Sequence, residues 1–313
     1  MIWNKNIKRI LLFALLFLGA NELIKLYFFE VSISDHTLVK QERRFDKYQG
    51  DLKYLFLGNS RVARAIDTSL IDNSYAYCSG GESNVQTYYK LKYLLETESD
   101  RITNVILPIG INSIGLYRPD KNLNSFYWRK YMDYVELMEL TSDYSTYSSV
   151  AIKSQMFPYF EYPYVRMLKE YDEARLIGSD SIYQFGSEKE RIELAANIVA
   201  NQHRFVHINN ATAIEYVKKT IDLVKRYKKR LTFIKYPVTH YYENASLIYE
   251  IEDGRKEIDA IIKRDASEID FLDFQNLYAD KPDYFRDVHH LNEDGKRKFT
   301  NHLRDYFFNN KRE

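Results

Sequence analysis

Two short segments near opposite ends of the chain supply a serine, a histidine and a carboxylate. The first is Gly58-Asn59-Ser60, and the second runs from Asp287 to His290. A serine hydroxyl is a weak nucleophile until an imidazole takes its proton, and that imidazole needs an acceptor that fixes its tautomer and stabilises its charged form. We therefore expect Ser60 to be a nucleophile, His290 its base, and Asp287 the residue that orients His290.

Each of these segments adjoins a predicted secondary-structure element. The run Lys53–Leu57 predicts a short buried strand, and the glycine after it predicts a turn that presents Ser60. Near the other end, Asn292 predicts a helix cap, and apolar residues recur at helical spacing from Lys296 to Phe308. We expect the serine at a strand end, where nucleophiles often lie, and the histidine and aspartate on a loop before the last helix.

Five strand-like runs alternate with helical patterns along the chain. Alternation of this kind predicts a parallel sheet in an α/β protein. The predicted strands are Tyr54–Leu57, Tyr75–Cys78, Val105–Ile109, Leu231–Val238 and Ile269–Phe274. The predicted helices run from Asn84, as the cap, to Leu95, from Asn209 or Asn210 to Tyr227, and from Leu247 to Ile262.

Residues 115–205 interrupt this alternation between the third and fourth predicted strands. The segment is rich in Tyr and Phe and contains Pro158 and Pro163. Because ligands bind beyond the carboxyl ends of parallel strands, we expect a helical insertion here to shape a substrate groove. Its aromatic residues either stack on sugar rings or pack as ordinary core and surface residues. The second alternative stays open because aromatic residues are frequent in the whole chain, with 28 Tyr and 18 Phe.

The N-terminus has the pattern of an export signal or a signal anchor. Basic residues precede an uncharged run from Ile10 to Ala20, and Asn21, Glu22 and Lys25 then interrupt an apolar stretch that ends at Phe29. The uncharged run is shorter than the roughly 20 residues of a spanning helix, which favours a cleaved signal peptide. If Asn21, Glu22 and Lys25 are tolerated in the membrane because they contact a partner or lie near the membrane interface, the segment is an uncleaved anchor. Its positively charged end then lies on the cytoplasmic side. A buried helix of a cytosolic protein is the third interpretation.

These patterns divide the chain into three predicted segments. Residues 1–31 form the anchor, residues 32–50 a linker, and residues 51–313 the catalytic domain, with the insertion at about 115–205. Either export interpretation places the catalytic domain outside the cytoplasm, in the cell envelope or secreted.

Composition excludes several classes of protein. With 45 basic and 44 acidic residues, the chain lacks the concentrated positive charge of a nucleic-acid-binding protein. The single Cys78 excludes an intramolecular disulfide. The seven histidines show neither HExxH nor paired His/Cys spacing, so we expect no metal and no other cofactor.

Over most of residues 50–308 the chain resembles the SGNH (GDSL-type) hydrolase family, in which four short blocks contribute Ser, Gly, Asn and His. Gly58-Asn59-Ser60 corresponds to the first block, with Asn59 where many members have Asp, and Asp287-x-x-His290 corresponds to the last. The family places the acid three residues before the histidine, which favours His290 over His289. The resemblance implies a flavodoxin-like three-layer α/β/α fold with about five parallel strands.

The resemblance also implies an oxyanion hole. Block three corresponds to Gly110-Ile111-Asn112, with Ser113 in place of the usual Asp, so that the Asn112 amide donates to the developing oxyanion. For block two we choose Gly80, although another alignment places Cys78 there. The backbone N–H groups of Ser60 and near Gly80 complete the hole by analogy. Such donors are worth about 3–4 kcal/mol each.

Several further residues are candidates for substrate binding. Arg61 and Arg64 follow the nucleophile and either bind a carboxylate or phosphate of a polymer or remain solvated. Lys235, His240 and Tyr241 end or follow the fourth predicted strand and either face the cleft or lie in an exposed loop.

The predicted function is a serine-dependent O-acyl esterase or acyltransferase, with acetyl as the expected acyl group, acting on an extracellular glycan or cell-wall polymer. The anchor resembles that of family members which work beside a membrane-bound acyltransferase. A secreted lipase or thioesterase is one alternative and predicts a wide apolar groove. A non-catalytic subunit of a polysaccharide modification or export complex is the other, and predicts that Ser60, His290 and Asp287 are out of mutual reach or that the insertion fills the cleft.

Overall fold

Five parallel strands form one sheet in the part of the chain that the structure describes. The structure is a computed structural model, and it describes residues 2–34, 37–114, 130–140, 148, 156–161, 187–203, 207–248, 252–265 and 267–309. The strands are β1 (Leu52–Gly58), β2 (Ser74–Cys78), β3 (Ile102–Pro108), β4 (Arg230–Lys235) and β5 (Ile269–Asp273). Their order across the sheet is β2-β1-β3-β4-β5.

Helices flank this sheet and complete a three-layer α/β/α fold, so the predicted fold class is confirmed. The helices before β3 are α1 (Ile2–Tyr27), α2 (Thr37–Lys47), α3 (Ser60–Ala65) and α4 (Asn84–Thr97). Those after β3 are α5 (Ile111–Ile114), α6 (Tyr134–Leu140), α7 (Glu188–Ile198), α8 (His207–Arg226), α9 (His240–Ile248), α10 (Glu252–Asp265) and α11 (Glu293–Asn309). Short 3₁₀ turns span Thr68–Leu70, Ser99–Arg101, Pro158–Glu161 and Pro282–Tyr284, and π-helical turns span Phe28–Ser32 and Val199–His203.

The strand order creates a crevice between β1 and β3. The chain goes from β1 outward to β2 and then returns to β3 on the other side of β1. Ligands of open α/β sheets bind at such a reversal, beyond the carboxyl ends of the strands. Residues that directly follow β1 and β3 therefore lie at the place where this fold binds ligands.

The central strands have side chains buried on both faces, as parallel sheets require. Leu55, Phe56 and Leu57 of β1 are all 0% exposed. This explains why the run reads as continuously apolar rather than alternating. A shift of β1 by one residue would exchange the side chains between its two faces and displace Ser60 along the crevice, so the register of β1 fixes the position of the serine.

Most predicted strands and helices differ from the observed ones by a few residues at an end. The fourth strand ends at Lys235 instead of Val238, because Pro237 has no N–H for the ladder and Val238 N donates to Gln275 O at 3.0 Å. Ser83, and not Asn84, caps α4 through a capping box with Gln86. The helix predicted from Leu247 to Ile262 overlaps α9, which ends at Ile248, and α10, which begins at Glu252, and residues 249–251 lie outside the described residues.

The chain divides into two compact units, Met1–Tyr48 with Leu123–Ile177, and Gln49–Asn122 with Gly178–Glu313. The predicted linker at 32–50 contains α2, and the predicted insertion at 115–205 contains α6 and α7. The rest of that insertion lies largely outside the described residues, so its proposed role over the site stays a prediction.

Within the first unit, three polar residues near the end of the N-terminal helix, Asn21, Glu22 and Lys25, have partners. Asn21 Nδ2 donates to Met156 O at 3.1 Å, and the Tyr159 hydroxyl donates to Asn21 Oδ1 at 2.8 Å. Lys25 pairs with Glu22 at 2.7 Å. By length and composition the segment Lys5–Ser32 is sufficient to cross a membrane.

We predict that Gly58→Ala destabilises the fold. Gly58 has a φ of 123°, and an added Cβ would lie 2.7 Å from both Cδ and Cγ of Pro108. Left-handed strain and the steric clash together are expected to lower the free energy of unfolding by about 2–4 kcal/mol. Urea denaturation followed by circular dichroism measures this.

Gly80→Ala is the matched control, because an added Cβ there meets nothing within 4 Å. We expect it to change the free energy of unfolding by less than about 0.5 kcal/mol. Equal stability of the two variants would contradict the role given to Gly58.

Candidate active site

Ser60 is the first residue of α3, directly after the turn that ends β1. Asn59 caps this helix, because its side chain accepts a hydrogen bond from Arg61 N at 3.1 Å. Asn and Asp are equivalent caps, so Asn59 meets the local structural need that Asp meets in many members of the resembled family. The short helix holds the half-buried Ser60 at the carboxyl end of the sheet.

Asp287 organises the loop before α11. Its Oδ1 accepts from the backbone N–H of His289 at 2.9 Å and of His290 at 2.8 Å. Its Oδ2 lies 2.8 Å from His290 Nδ1. Asp287 therefore holds both the backbone and the ring of His290.

His290 connects the two segments. Its Nε2 lies 2.8 Å from Ser60 Oγ, although the residues are 230 positions apart in sequence. With the Nδ1 proton directed at Asp287, Nε2 is free to accept the serine proton. His290 is 4% exposed, so water competes little for these bonds. The structure brings together Ser60, His290 and Asp287 in the order that the sequence predicts.

The charge state of Asp287 is set by its neighbours. Burial by itself raises the pKa of this carboxyl group, but the imidazoles of His290 and His289 and the hydrogen bonds it accepts hold its pKa well below the usual range. An ionised Asp287 is what a triad requires, because it stabilises the imidazolium that forms when His290 takes a proton.

Two further buried histidines lie beside the triad. His203 Nδ1 lies 2.8 Å from the Tyr242 hydroxyl, and the rings of His203 and His289 meet edge to face at 5.3 Å. Burial, followed by the charge of Arg61, lowers the pKa of His203 well below 6.5. Burial, followed by the charge of His290, does the same for His289. Both rings are therefore neutral at neutral pH.

The predicted oxyanion donors follow the strands on either side of β1. Gly58 pairs with Cys78 in the sheet, so Ser60 and Gly80 both lie two residues beyond the paired ends of neighbouring strands. Gly80 is exposed. Asn112 lies in α5 after β3, is 8% exposed, and lines a cavity together with Arg61. Their role in oxyanion binding stays a prediction.

This cavity opens to solvent. Polar and charged residues make up much of its lining, among them five after the fourth strand: Tyr242, Glu243, Ser246, Arg255 and Gln275. Sequence reasoning reached Arg61, Asn112 and Lys235 but missed these five. Two of the five, Tyr242 and Glu243, directly follow the candidates His240 and Tyr241 in sequence. This proximity is the sequence signal by which they could have been predicted.

The other two candidates for substrate binding lie elsewhere. Arg64 is half-buried in α3 and does not line the cavity. His240 begins α9, where its Nδ1 lies 3.1 Å from Ala279 O, and it does not line the cavity either. Their roles in substrate binding stay predictions.

Asp287, His289 and His290 each offer a ligand atom, and these atoms lie within 4.8 Å of one another. In the structure, however, His290 Nδ1 is hydrogen-bonded to Asp287 and Nε2 to Ser60. Both ring nitrogens of His290 are thus already engaged, so this group fits a proton relay better than a metal ion.

No protein-family model matches the chain, and no curated protein does. Two solved structures resemble it at a distance. A "putative acylhydrolase" from Bacteroides fragilis is 10% identical, with a TM-score of 0.42, over 86% of this chain and 94% of that one. A "putative platelet activating factor" from Streptococcus pneumonia is 14% identical, with a TM-score of 0.40, over 92% and 98% of the two chains. Likenesses this distant carry no argument about activity.

We predict that acidification destabilises the protein in part through His203. In the unfolded chain its imidazole takes a proton as the pH falls through about 6.5, whereas in the folded protein it stays neutral. The unfolded state then binds more protons, so the free energy of unfolding falls by up to about 1.4 kcal/mol per pH unit for this residue.

His203→Gln is expected to remove about 1 kcal/mol of the loss between about pH 6.5 and 5.5. Urea denaturation at several pH values measures it, and His302→Gln, at an exposed histidine, is the control. An unchanged pH dependence in His203→Gln would contradict the neutral, buried state of this ring.

Proposed function

We propose that the chain is a serine-dependent O-acyl esterase or acyltransferase, with acetyl as the acyl group, that acts on an extracellular glycan or cell-wall polymer. The observation that carries the proposal is the hydrogen-bonded series Ser60 Oγ, His290 Nε2, His290 Nδ1 and Asp287 Oδ2, with 2.8 Å at each contact between residues. This series has the parts that nucleophilic acyl transfer needs.

In the first half-reaction, Ser60 Oγ attacks the acyl carbonyl carbon while its proton passes to His290 Nε2. The carbonyl oxygen becomes an oxyanion, which the backbone N–H groups of Ser60 and near Gly80 and the Asn112 amide stabilise in this proposal. His290 then gives its proton to the departing alcohol oxygen as the ester bond breaks. The acyl group remains on Ser60.

In the second half-reaction, water or a sugar hydroxyl gives its proton to His290 and attacks the acyl-Ser60 ester. The bond to Ser60 Oγ breaks and Ser60 regains its proton from His290. Water gives hydrolysis, and a sugar hydroxyl gives transfer. Asp287 remains ionised and stabilises the imidazolium in both halves.

The geometry favours this proposal over both alternatives. A non-catalytic subunit predicted that Ser60, His290 and Asp287 lie out of mutual reach or that the insertion fills the cleft. The three residues are hydrogen-bonded, and most of the insertion lies outside the described residues. A lipase or thioesterase predicted a wide apolar groove. The cavity that Arg61 and Asn112 share is lined largely by polar and charged residues, which suits a sugar better than an acyl chain.

An uncleaved membrane anchor is the second part of the proposal. A helix of the 26 residues from Ile2 to Tyr27 is about 39 Å long, which exceeds the roughly 30 Å hydrocarbon core of a bilayer. Its polar residue Asn21 is buried and bonded to Met156 and Tyr159, so the segment is part of a folded unit. A membrane-bound acyltransferase is the proposed partner beside which the anchored domain works.

Loss of the nucleophile tests the proposed chemistry. We expect the full chain in detergent to release p-nitrophenol from p-nitrophenyl acetate, and Ser60→Ala to lower kcat/KM at least about 10³-fold. Ser113→Ala is the matched control, because it removes a serine hydroxyl that contacts Pro108 O and is outside the triad. Equal rates for wild type and a folded Ser60→Ala protein would refute the proposal.

Retention of the N-terminus tests the anchor. We expect intact-mass measurement of protein extracted from membranes to find residues 2–34 still attached, because Asn21 and Phe28 pack within the first unit. A mature chain that begins after residue 20 would instead establish a cleaved signal peptide and leave the triad proposal untouched.

A further inference from the structure

Arg61 is a buried cation that lacks part of its normal set of partners. It follows Ser60 directly in α3 and is 8% exposed. Its Nε and Nη2 atoms are buried and have no hydrogen-bond partner among the described residues. Its guanidinium lies over the Tyr242 ring, with Cζ 4.7 Å from the ring centroid. Because an unpaired buried donor is costly, a cation in this state beside a reactive serine calls for a ligand.

The two unpaired atoms form one edge of the guanidinium. Nε–H and one Nη2–H of arginine point in the same direction, so they can donate in parallel to two oxygens of a single carboxylate or phosphate group. The cation–π contact with Tyr242 does not use these two donors. The geometry is that of a receptor for a planar or tetrahedral oxyanion.

The cavity that Arg61 lines has an excess of positive charge. Lys235 and Arg255 line it as well, whereas Glu243 is its one carboxylate among the described lining residues. Glu243 is already engaged, because Arg255 donates to its Oε1 at 2.6 Å and Gln275 donates to its Oε2. It is therefore not available to neutralise Arg61.

The cavity continues away from Arg61. A second space shares Gly110, Lys235, Arg255 and Gln275 with the first and is also lined by Asp259. A substrate bound at Arg61 through an anionic group would continue along Lys235 and Arg255.

We propose that the Nε and Nη2 edge of Arg61 binds an oxyanion group, a carboxylate or a phosphate, on the substrate whose ester Ser60 attacks. This rests on the proposed function and makes it more specific: the acylated substrate is an acidic polymer, and its negative charge positions the ester at Ser60. The same contact gives specificity, because a neutral glycan would leave the buried guanidinium unpaired.

Three acetylated sugars test this with the full chain in detergent. They are acetylated glucose, glucuronate and glucose 6-phosphate, each with one acetyl group at the same position, and acetate release is measured. We expect one of the two anionic esters to have a kcat/KM about 10–100-fold above that of the neutral ester. Which one it is distinguishes a carboxylate from a phosphate. Equal kcat/KM for all three would overturn the inference.

Variants of Arg61 separate anion binding from a structural role. Arg61→Gln is expected to abolish the preference for the anionic ester, and Arg61→Lys, which keeps the charge without the paired edge, to retain part of it. Arg304→Gln, with the same loss of charge at an arginine of α11 that lines neither space, is the matched control and should keep the preference. An equal fall for all three sugars in Arg61→Gln, or loss of the preference in Arg304→Gln, would overturn the inference.

A binding measurement tests the anion site at Arg61 without relying on catalytic activity. We expect calorimetry on full-length Ser60→Ala to detect binding of glucuronate or inorganic phosphate that is lost in Ser60→Ala/Arg61→Gln. No binding of either anion to the first variant would overturn the anion site. Anion binding without Ser60-dependent cleavage of any ester would overturn the proposed function and leave the site standing.

Discussion

The hydrogen bonds that Asp287 accepts are the interaction on which the site depends. This one carboxylate holds two backbone N–H groups of its own loop and the ring of His290. The loop is in turn fixed to the sheet side of the molecule, because Val288 O accepts from both the backbone and the hydroxyl of Thr239. Without the carboxylate, the loop and the imidazole would lose their common acceptor. Asp287 thus fixes the position from which His290 Nε2 contacts Ser60 Oγ.

The sheet positions the nucleophile, as Asp287 positions the histidine. Ser60 and Asn112 come from segments that directly follow β1 and β3, on the two sides of the point where the strand order reverses. Gly58 makes this possible, because only a residue without Cβ passes so close to Pro108 in a left-handed conformation. Residues that are distant in sequence thus come together because the backbone turns at the ends of buried strands place them at the same edge of the sheet.

The strands and the triad could be predicted from the sequence because their signals are local. Buried parallel strands appear as apolar runs, and the spacing from Asp287 to His290 is short enough for one loop. Ser83 as the cap of α4 also had a local signal, since Gln86 lies three residues later as in a capping box. The earlier end of β4 was predictable from Pro237.

The surroundings of the triad could not be predicted, because they depend on contacts between distant segments. The rings of His203, Tyr242 and His289 pack against one another although no periodic pattern relates them. Arg61 was recognised as a cation near the nucleophile, but its buried and partly unpaired state is visible only in three dimensions. The charge of a residue type, known from the sequence, indicates what its side chain can bind. Burial without hydrogen-bond partners, known only from the structure, indicates a binding site for a ligand.

Covalent labelling tests the central claim, that His290 and Asp287 activate Ser60, most directly. The full chain in detergent is treated with a fluorophosphonate, and the modified residue is located by peptide mass spectrometry while the labelling rate is followed. The account predicts that Ser60 alone is phosphonylated and that Asp287→Asn slows the reaction at least about 10²-fold. An unlabelled Ser60 in folded protein, or an unchanged rate in Asp287→Asn, would contradict it.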